Sequence, residues 1–227
     1  MARSIQLALV VVVLVGGIST AAFFYLTREI AAPSTDVQDT VEQLETSGDE
    51  IVFRISQDES QVEYNIYELL NGADKTVVGT TAEVAGDILV NLSDPSQSEL
   101  GEISINARTF ATDEDRRDNA VARFILQSET NEFITFQPTS VTGLPDAVSE
   151  GNTLELQVAG DLTIAGVTEE VIFDVTATLE SDERLVGSAE TTVLRSAFNL
   201  TIPEVPFVAN VGDDVTVKLD FVANAVA

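Results

Sequence analysis

The chain reads as an all-β protein, a closed or nearly closed antiparallel barrel with one short helix. Two runs, Leu154 to Ile164 and Val171 to Leu179, alternate apolar and polar residues, as a strand does with one buried and one wetted face. Similar runs recur about eight times between Ile51 and Phe221, joined by short turns. Strands this long, with so few turns, suit a barrel better than a sandwich. Helical spacing of apolar residues interrupts the β pattern once, between 114 and 126.

Taken in order, the chain begins with 22 residues without a charge, Ile5 to Leu26. As a helix at roughly 1.5 Å per residue this run spans about 33 Å, enough to cross a ~30 Å hydrocarbon core. Arg3 precedes it and acidic residues dominate beyond Arg28, which predicts a cytoplasmic N-terminus and an exported remainder. Residues 1–28 are therefore expected to be a single-pass transmembrane signal-anchor, with the barrel on the extracytoplasmic side of the cell membrane. The alternative is secretion after signal cleavage near Ser19-Thr20-Ala21, although the apolar run continues through Leu26. Residues 29–50 carry seven acids and no base, which predicts a flexible acidic linker. Residues 51–227 form the expected barrel domain.

Within that domain the first strand is Val52–Ile55, and Val62, Tyr64 and Ile66 mark the apolar side of the second. Asn71-Gly72 is a turn signal; residues 76–92 read as one long strand bent at Gly86 and ended by Asp94-Pro95-Ser96. Ile103, Ile105 and Ala107 follow, facing away from Ser104 and Asn106. Thr112 with Asp115 three residues on is a variant capping box, opening a helix over 114–126 whose apolar residues are Ala120, Val121, Phe124 and Ile125. Strands resume at 133–142, with Ile134 and Phe136. The hairpin of 154–179 turns at Ala165-Gly166, and further strands follow at Leu185–Phe198 and Val215–Phe221.

Composition narrows the function. There are 38 acidic residues against 11 basic ones, a formal charge of −27, which disfavours nucleic acid as a partner. The chain has no cysteine and no histidine, so disulfides, thiolate nucleophiles, Ser-His pairs and Cys/His zinc sites are excluded. Glu169-Glu170 and Asp213-Asp214 are adjacent pairs whose side chains point to opposite faces of a strand, so neither makes an acid–base dyad. Asp113-Glu114-Asp115 lacks calcium-loop spacing. No catalytic residue, metal or cofactor is expected, and the chain does not read as an enzyme. Arg117-Asp118 is expected to pin the helix to the barrel rim.

Four segments resemble the YceI-like family. They are Ser60–Ile66 with Val78-Gly79 and Gly86-Asp87-Ile88; Ile103 through Thr109, Thr112 and Arg117-Asp118 to Phe124; Phe133–Thr139 with Gly160–Thr168; and Arg195–Asn199 with Val211–Val215. The resemblance covers about 51–224, and Gly160–Thr168 is its most specific piece. It implies an eight-stranded lipocalin-like barrel whose apolar bore holds a polyisoprenoid or another long-chain lipid. Two departures stand out: Asn199 replaces the usual Gly, and the usual aromatics thin to Phe124 and Phe133. Both predict a narrowed or reshaped pocket.

Barrel closure turns the apolar side of each strand inward. The expected wall of the bore is Val62, Tyr64, Ile66, Ile105, Ile134, Phe136, Leu162, Ile164 and Phe173, with Phe124, Val121 and Ile125 covering one entrance. A membrane-anchored protein holding a polyisoprenoid or quinone-like chain is the leading expectation. The competing one is a solid-core interaction module whose bore is filled by its own side chains.

Overall fold

The computed structural model describes residues 30–48, 50–203 and 208–226. The alternating runs become thirteen strand segments of one antiparallel sheet. They are β1 (Ile51–Ile55), β2 (Gln61–Leu70), β3 (Ala73–Thr81), β4 (Val84–Ala85), β5 (Asp87–Val90), β6 (Glu99–Leu100) and β7 (Ile103–Asn106), then β8 (Phe133–Thr142), β9 (Thr153–Ile164), β10 (Val167–Ser181), β11 (Arg184–Leu194), β12 (Val208–Ala209) and β13 (Asp214–Ala225). Ten of them lie on one unbroken path of neighbours.

The β9–β10 hairpin is the longest ladder, in register from Val167 opposite Ile164 to Thr178 opposite Thr153. Its turn has Ala165 at φ 49° and Gly166 at φ 79°, the pair of left-handed residues that matches the twist of the flanking strands. Asn71 and Gly72 do the same between β2 and β3, at φ 52° and 79°. β13 lies between β11 on one edge and β2 and β1 on the other. Followed through Ala82-Glu83, β3 and β4 act as one kinked strand, β3 pairing with β2 and β4 with β7. The pairings thus pass from β13 through β2, β3–β4, β7, β8, β9, β10 and β11 and return to β13. The sheet is barrel-like, with its apolar faces turned in.

The expected eight strands are broken into thirteen segments among the described residues. The long strand expected over 76–92 breaks at Ala82-Glu83 and again at Gly86. A Cβ at Gly86 would lie 2.3 Å from Ile103 Cδ1 and 3.2 Å from the Glu102 carbonyl oxygen, so only glycine lets the backbone pass this close to β7. β11 also ends at Leu194, four residues before the expected Phe198.

The helix is shorter and wound differently from the expected 114–126. α1 covers Asp115–Ala120, and a π turn continues it through Val121–Ile125. Thr112 does not form the expected box with Asp115. Its amide and hydroxyl both donate to Asp118 Oδ1, at 2.8 and 2.6 Å. Arg117 bonds Glu68 of β2 at 3.3 Å and also pairs with Asp113, which ties α1 to the sheet rim as expected.

The flexible acidic linker is a correction of more consequence. The expected membrane helix over 1–28 lies outside the described residues, and among the described residues no helix is long and apolar enough to cross a membrane. Residues 32–44, by contrast, lie along the outer face of β4 and β7 as a strap. Val37 and Val41 are buried against Ala85, with Phe133 beside them. Ser34 bonds Glu132 through its amide (2.7 Å) and hydroxyl (2.6 Å), and Arg108 reaches the Ala32 carbonyl at 3.0 Å. Thr40 bonds Ser104 at 2.9 Å, and the Leu44 amide donates to Asp87 at 3.1 Å. Asp87, fully buried, also takes a two-pronged bond from Arg54, both at 2.8 Å. The acids of the strap point to solvent while Val37 and Val41 do the packing, a division that mean composition hides.

Two outcomes follow for the strap. Each Val→Ala change at 37 and 41 removes two carbons from a buried site, at ~0.8 kcal/mol per carbon, so the double variant should lose about 3 kcal/mol in urea unfolding. An unchanged midpoint would show that the strap is undocked in solution. Burial pushes Glu132 up, but bonds from Ser34, the Arg108 charge and the Asn106 amide outweigh it and hold its carboxyl below the ordinary value. A carboxyl depressed on folding stabilises above its unfolded pKa and loses that contribution as pH falls through the folded one. Docking should therefore weaken below the usual glutamate range. Glu132→Gln should flatten this acid limb in thermal melts at successive pH values.

Candidate ligand cavity

The inward faces of the strands surround a void of about 840 Å³ rather than a filled core. Aromatic rings line it without blocking it, because several lie flat over glycines. The Tyr64 ring covers Gly79 directly across the β2–β3 ladder, where a Cβ would sit 2.2 Å from it. Phe221 covers Gly187 in the same way across β11–β13, at 2.6 Å from the Cβ position. The Phe136 ring extends over Gly160, again at 2.6 Å, and meets Phe173 edge-on with centroids 5.0 Å apart. With a methyl at any of these positions, the ring would have to swing into the void.

Most of the wall is aliphatic, from Val62 and Ile66 on β2 to Leu219 on β13. Most of the charged groups that meet the void, Glu68, Glu114, Arg116, Arg117 and Arg195, lie at the end bearing α1; Glu63 and Glu99 meet it elsewhere. Arg195 is held by backbone: its Nε donates to the Gly212 carbonyl (2.9 Å) and its Nη1 to that of Leu200 (3.0 Å). Tyr64 is the polar oddity of the wall. Its hydroxyl is buried with no hydrogen-bond partner among the described residues. Burial, with the nearby Asp118 charge, pushes its pKa up to about 12.

Nine of the ten residues expected at the bore line the void: Val62, Tyr64, Ile66, Ile105, Ile134, Phe136, Leu162, Ile164 and Phe173. Phe124 does not, and its side chain is 36% exposed. The π turn explains this. The Leu126 amide bonds the Val121 carbonyl five residues back, so Val121, Ile125 and Leu126 share the inner face and Phe124 swings off it. Phe133 packs outside the void with the strap. Asn199 has φ 56°, a left-handed turn position that glycine or asparagine accommodates; it leaves the void untouched. The narrowing expected from these departures is therefore corrected.

Some wall residues escaped the sequence reading although their signal was present. Glu68 occupies an inward position two residues beyond Ile66, and Arg195 lies two residues beyond Val193. Their charge hid an unbroken alternation.

A curled antiparallel sheet around one large apolar void defines a class of protein built to enclose a ligand. Within that class, the family model of the YceI-like domain matches residues 53–223, and the chain belongs to this family. No curated protein matches it. Among solved structures, Burkholderia cenocepacia BcnA is similar at TM-score 0.58 and 21% identity, covering 75% of this chain and 99% of its own. A polyisoprenoid-binding domain from Saccharophagus degradans is similar at TM-score 0.59 and 12% identity, covering 77% and 98%. The Campylobacter jejuni YCEI protein follows at 0.53 and 18%, covering 66% and 85%. At these identities the likeness is one of fold.

The unpartnered hydroxyl sets a prediction. A buried hydroxyl without a partner costs free energy, so Tyr64→Phe should stabilise the fold by about 1 kcal/mol. The pH dependence has a fixed sign. A tyrosine pKa raised on folding contributes stability below its unfolded value near 10, which is lost as pH rises toward 12. Wild type should thus lose more stability than Tyr64→Phe over that window in urea titrations. A destabilised Tyr64→Phe would mean that the hydroxyl has a partner.

Proposed function

We propose that this chain is a lipid-binding protein that holds one long apolar chain, of polyisoprenoid or quinone-like character, inside its cavity. The observation that carries the reading is the void of about 840 Å³ with a wall mostly aliphatic and aromatic. Counting β1/β2, β3–β5 and β6/β7 as one stave each, the sheet reads as an eight-stranded lipocalin-like barrel around it. The family supports the reading, and so does the fold shared with the S. degradans domain. Burying an isoprenoid gains about 0.8 kcal/mol per CH₂, so several units bind tightly without an ionic contact. In this reading the protein does no chemistry on its ligand. A void of this size argues against the solid-core alternative, because interiors filled by their own side chains leave few gaps larger than a water molecule.

Residues 1–28 complete the proposal as a single-pass membrane anchor, with the barrel on the extracytoplasmic side. Their apolar length and the positive flank at Arg3 support it. A secreted form cleaved near Ala21 is the alternative, which N-terminal sequencing of the mature protein separates.

Lipids extracted from the purified chain and weighed by mass spectrometry should include a long-chain isoprenoid species in near-stoichiometric amount. Leu162 is 3% exposed and faces the void, so Leu162→Trp should narrow it and abolish that lipid while circular dichroism stays β-rich. Retention of the lipid by a folded Leu162→Trp, or its absence from wild type, would overturn the proposal.

A further inference from the structure

We infer that the cavity is presented to the membrane that holds the chain, with the α1 end of the barrel lying against the lipid headgroups. The inference rests on the reading of residues 1–28 as a membrane anchor, and it adds an orientation and a contact surface. The first contacts of the strap fix where the chain enters the domain. Ala32 is held by Arg108 and Ser34 by Glu132, and Arg108 and Glu132 form an ion pair at 2.8 Å. Arg108 follows the end of β7, and Glu132 precedes β8. Both therefore belong to the end of the sheet that carries α1. Asn131, beside them, lies 3.3 Å from the Cβ position of Gly166 in the β9–β10 turn at that same end.

Reach then decides the geometry. A free linker over 29–50 would allow roughly 75 Å between anchor and barrel at ~3.4 Å per residue. With Ala32 pinned, it lies only six positions beyond Leu26, the last of the apolar run, or about 20 Å fully extended. The headgroup layer occupies several ångströms of that, so the α1 end stays close to the surface while the opposite end points away.

The chemistry of this end agrees. The void is bounded there by Val121 and Ile125 of the π turn and by Leu200. Phe124, Leu194 and Tyr67 are exposed at this end, at 36%, 48% and 42%. Eleven Lys and Arg residues less Arg3 and Arg28 leave nine in the described chain. Six of the nine are at this end: Lys75, Arg108, Arg116, Arg117, Arg123 and Arg195. Acids share the end and pair with several of these cations, but Arg116 is exposed and makes no ion pair among the described residues. A lipid leaving the bilayer next to this rim would enter the void without crossing bulk water.

The chain has no cysteine, so single labels can be placed at will. Fluorophores at Phe124→Cys and Glu129→Cys mark the α1 end, and one at Asp182→Cys, in the β10–β11 turn, marks the other. Full-length protein is reconstituted into phosphatidylcholine and phosphatidylglycerol vesicles with a nitroxide on a fraction of the headgroups. Quenching should be several-fold stronger at 124 and 129 than at 182. A flexible insert of about twenty residues after Arg28 should weaken it at 124 and 129, since the short tether is the cause. Equal or reversed quenching, or a chain that fails to float with the vesicles, overturns the inference. Lipid extracted from the same vesicle-bound protein reports on the cavity separately. Bound isoprenoid with equal quenching leaves the binding reading standing, and strong rim quenching without bound lipid removes that reading alone.

Discussion

The fold depends on the two edges of β13. This last strand pairs with β11 along eleven residues, from Arg184 opposite Asn224 to Leu194 opposite Asp214. Its other edge takes β2 over Val215–Asp220 and then β1 over Ala223–Ala225. Without it the sheet would have two long open edges and no enclosed interior. The void therefore exists only when residues more than 150 apart in sequence have met, such as Val62 and Leu219. Such pairing is slow, because loop closure is met before any contact stabilises it. The acid-rich surface suits this interval, since like charge keeps exposed strand edges from joining between molecules.

An interior of apolar side chains tends to collapse on itself, and this one does not. Three inward glycines, Gly79, Gly160 and Gly187, make room for rings against the wall. Tyr64 over Gly79 and Phe221 over Gly187 are direct cross-strand pairs, each ring resting where its partner has no Cβ. Phe136 over Gly160 also brings its ring edge to Phe173. Cross-strand contact of this kind stabilises the ladder and spends ring surface on the wall, which leaves the middle unfilled. The same argument accounts for the Tyr64 hydroxyl. A ring placed by packing over Gly79 carries its polar atom wherever the packing puts it, here away from any partner among the described residues.

Much of this was legible in the sequence, and the gaps have physical causes. Alternation places Val62, Leu162 and Phe173 correctly because inward and outward positions differ sharply in water exposure. It misjudges Ser104 and Asn106, read as the wetted side of β7 although both are fully buried. Nothing in β7 itself announces the strap that covers them, since the strap is an acidic stretch with only two well-buried valines. Phe124 fails for a different reason. A spacing of 3.6 residues puts it beside Val121, whereas a π turn advances the face by five, and no residue type in 121–125 signals that change. Asn199 runs the other way: an apparent loss of glycine is explained by a left-handed φ that asparagine also adopts.

The strap changes what the proposed anchor would mean for the domain. An apolar run followed by a charged, proline-containing stretch ordinarily describes a domain free to wander at the end of a tether. Here the tether is folded onto the domain, and it is folded through groups that also organise the sheet. Asp87 holds the Leu44 amide and Arg54 of β1 at once, and Glu132 holds Ser34, Asn106 and Arg108. Because each carboxylate is shared, undocking the strap would leave a buried Asp87 with one bond fewer and Glu132 with Asn106 and Arg108 alone, a cost that loop entropy would have to outweigh. The strap that hides the outer face of β4 and β7 thus also holds Ala32 against Arg108, at the end of the sheet that carries α1.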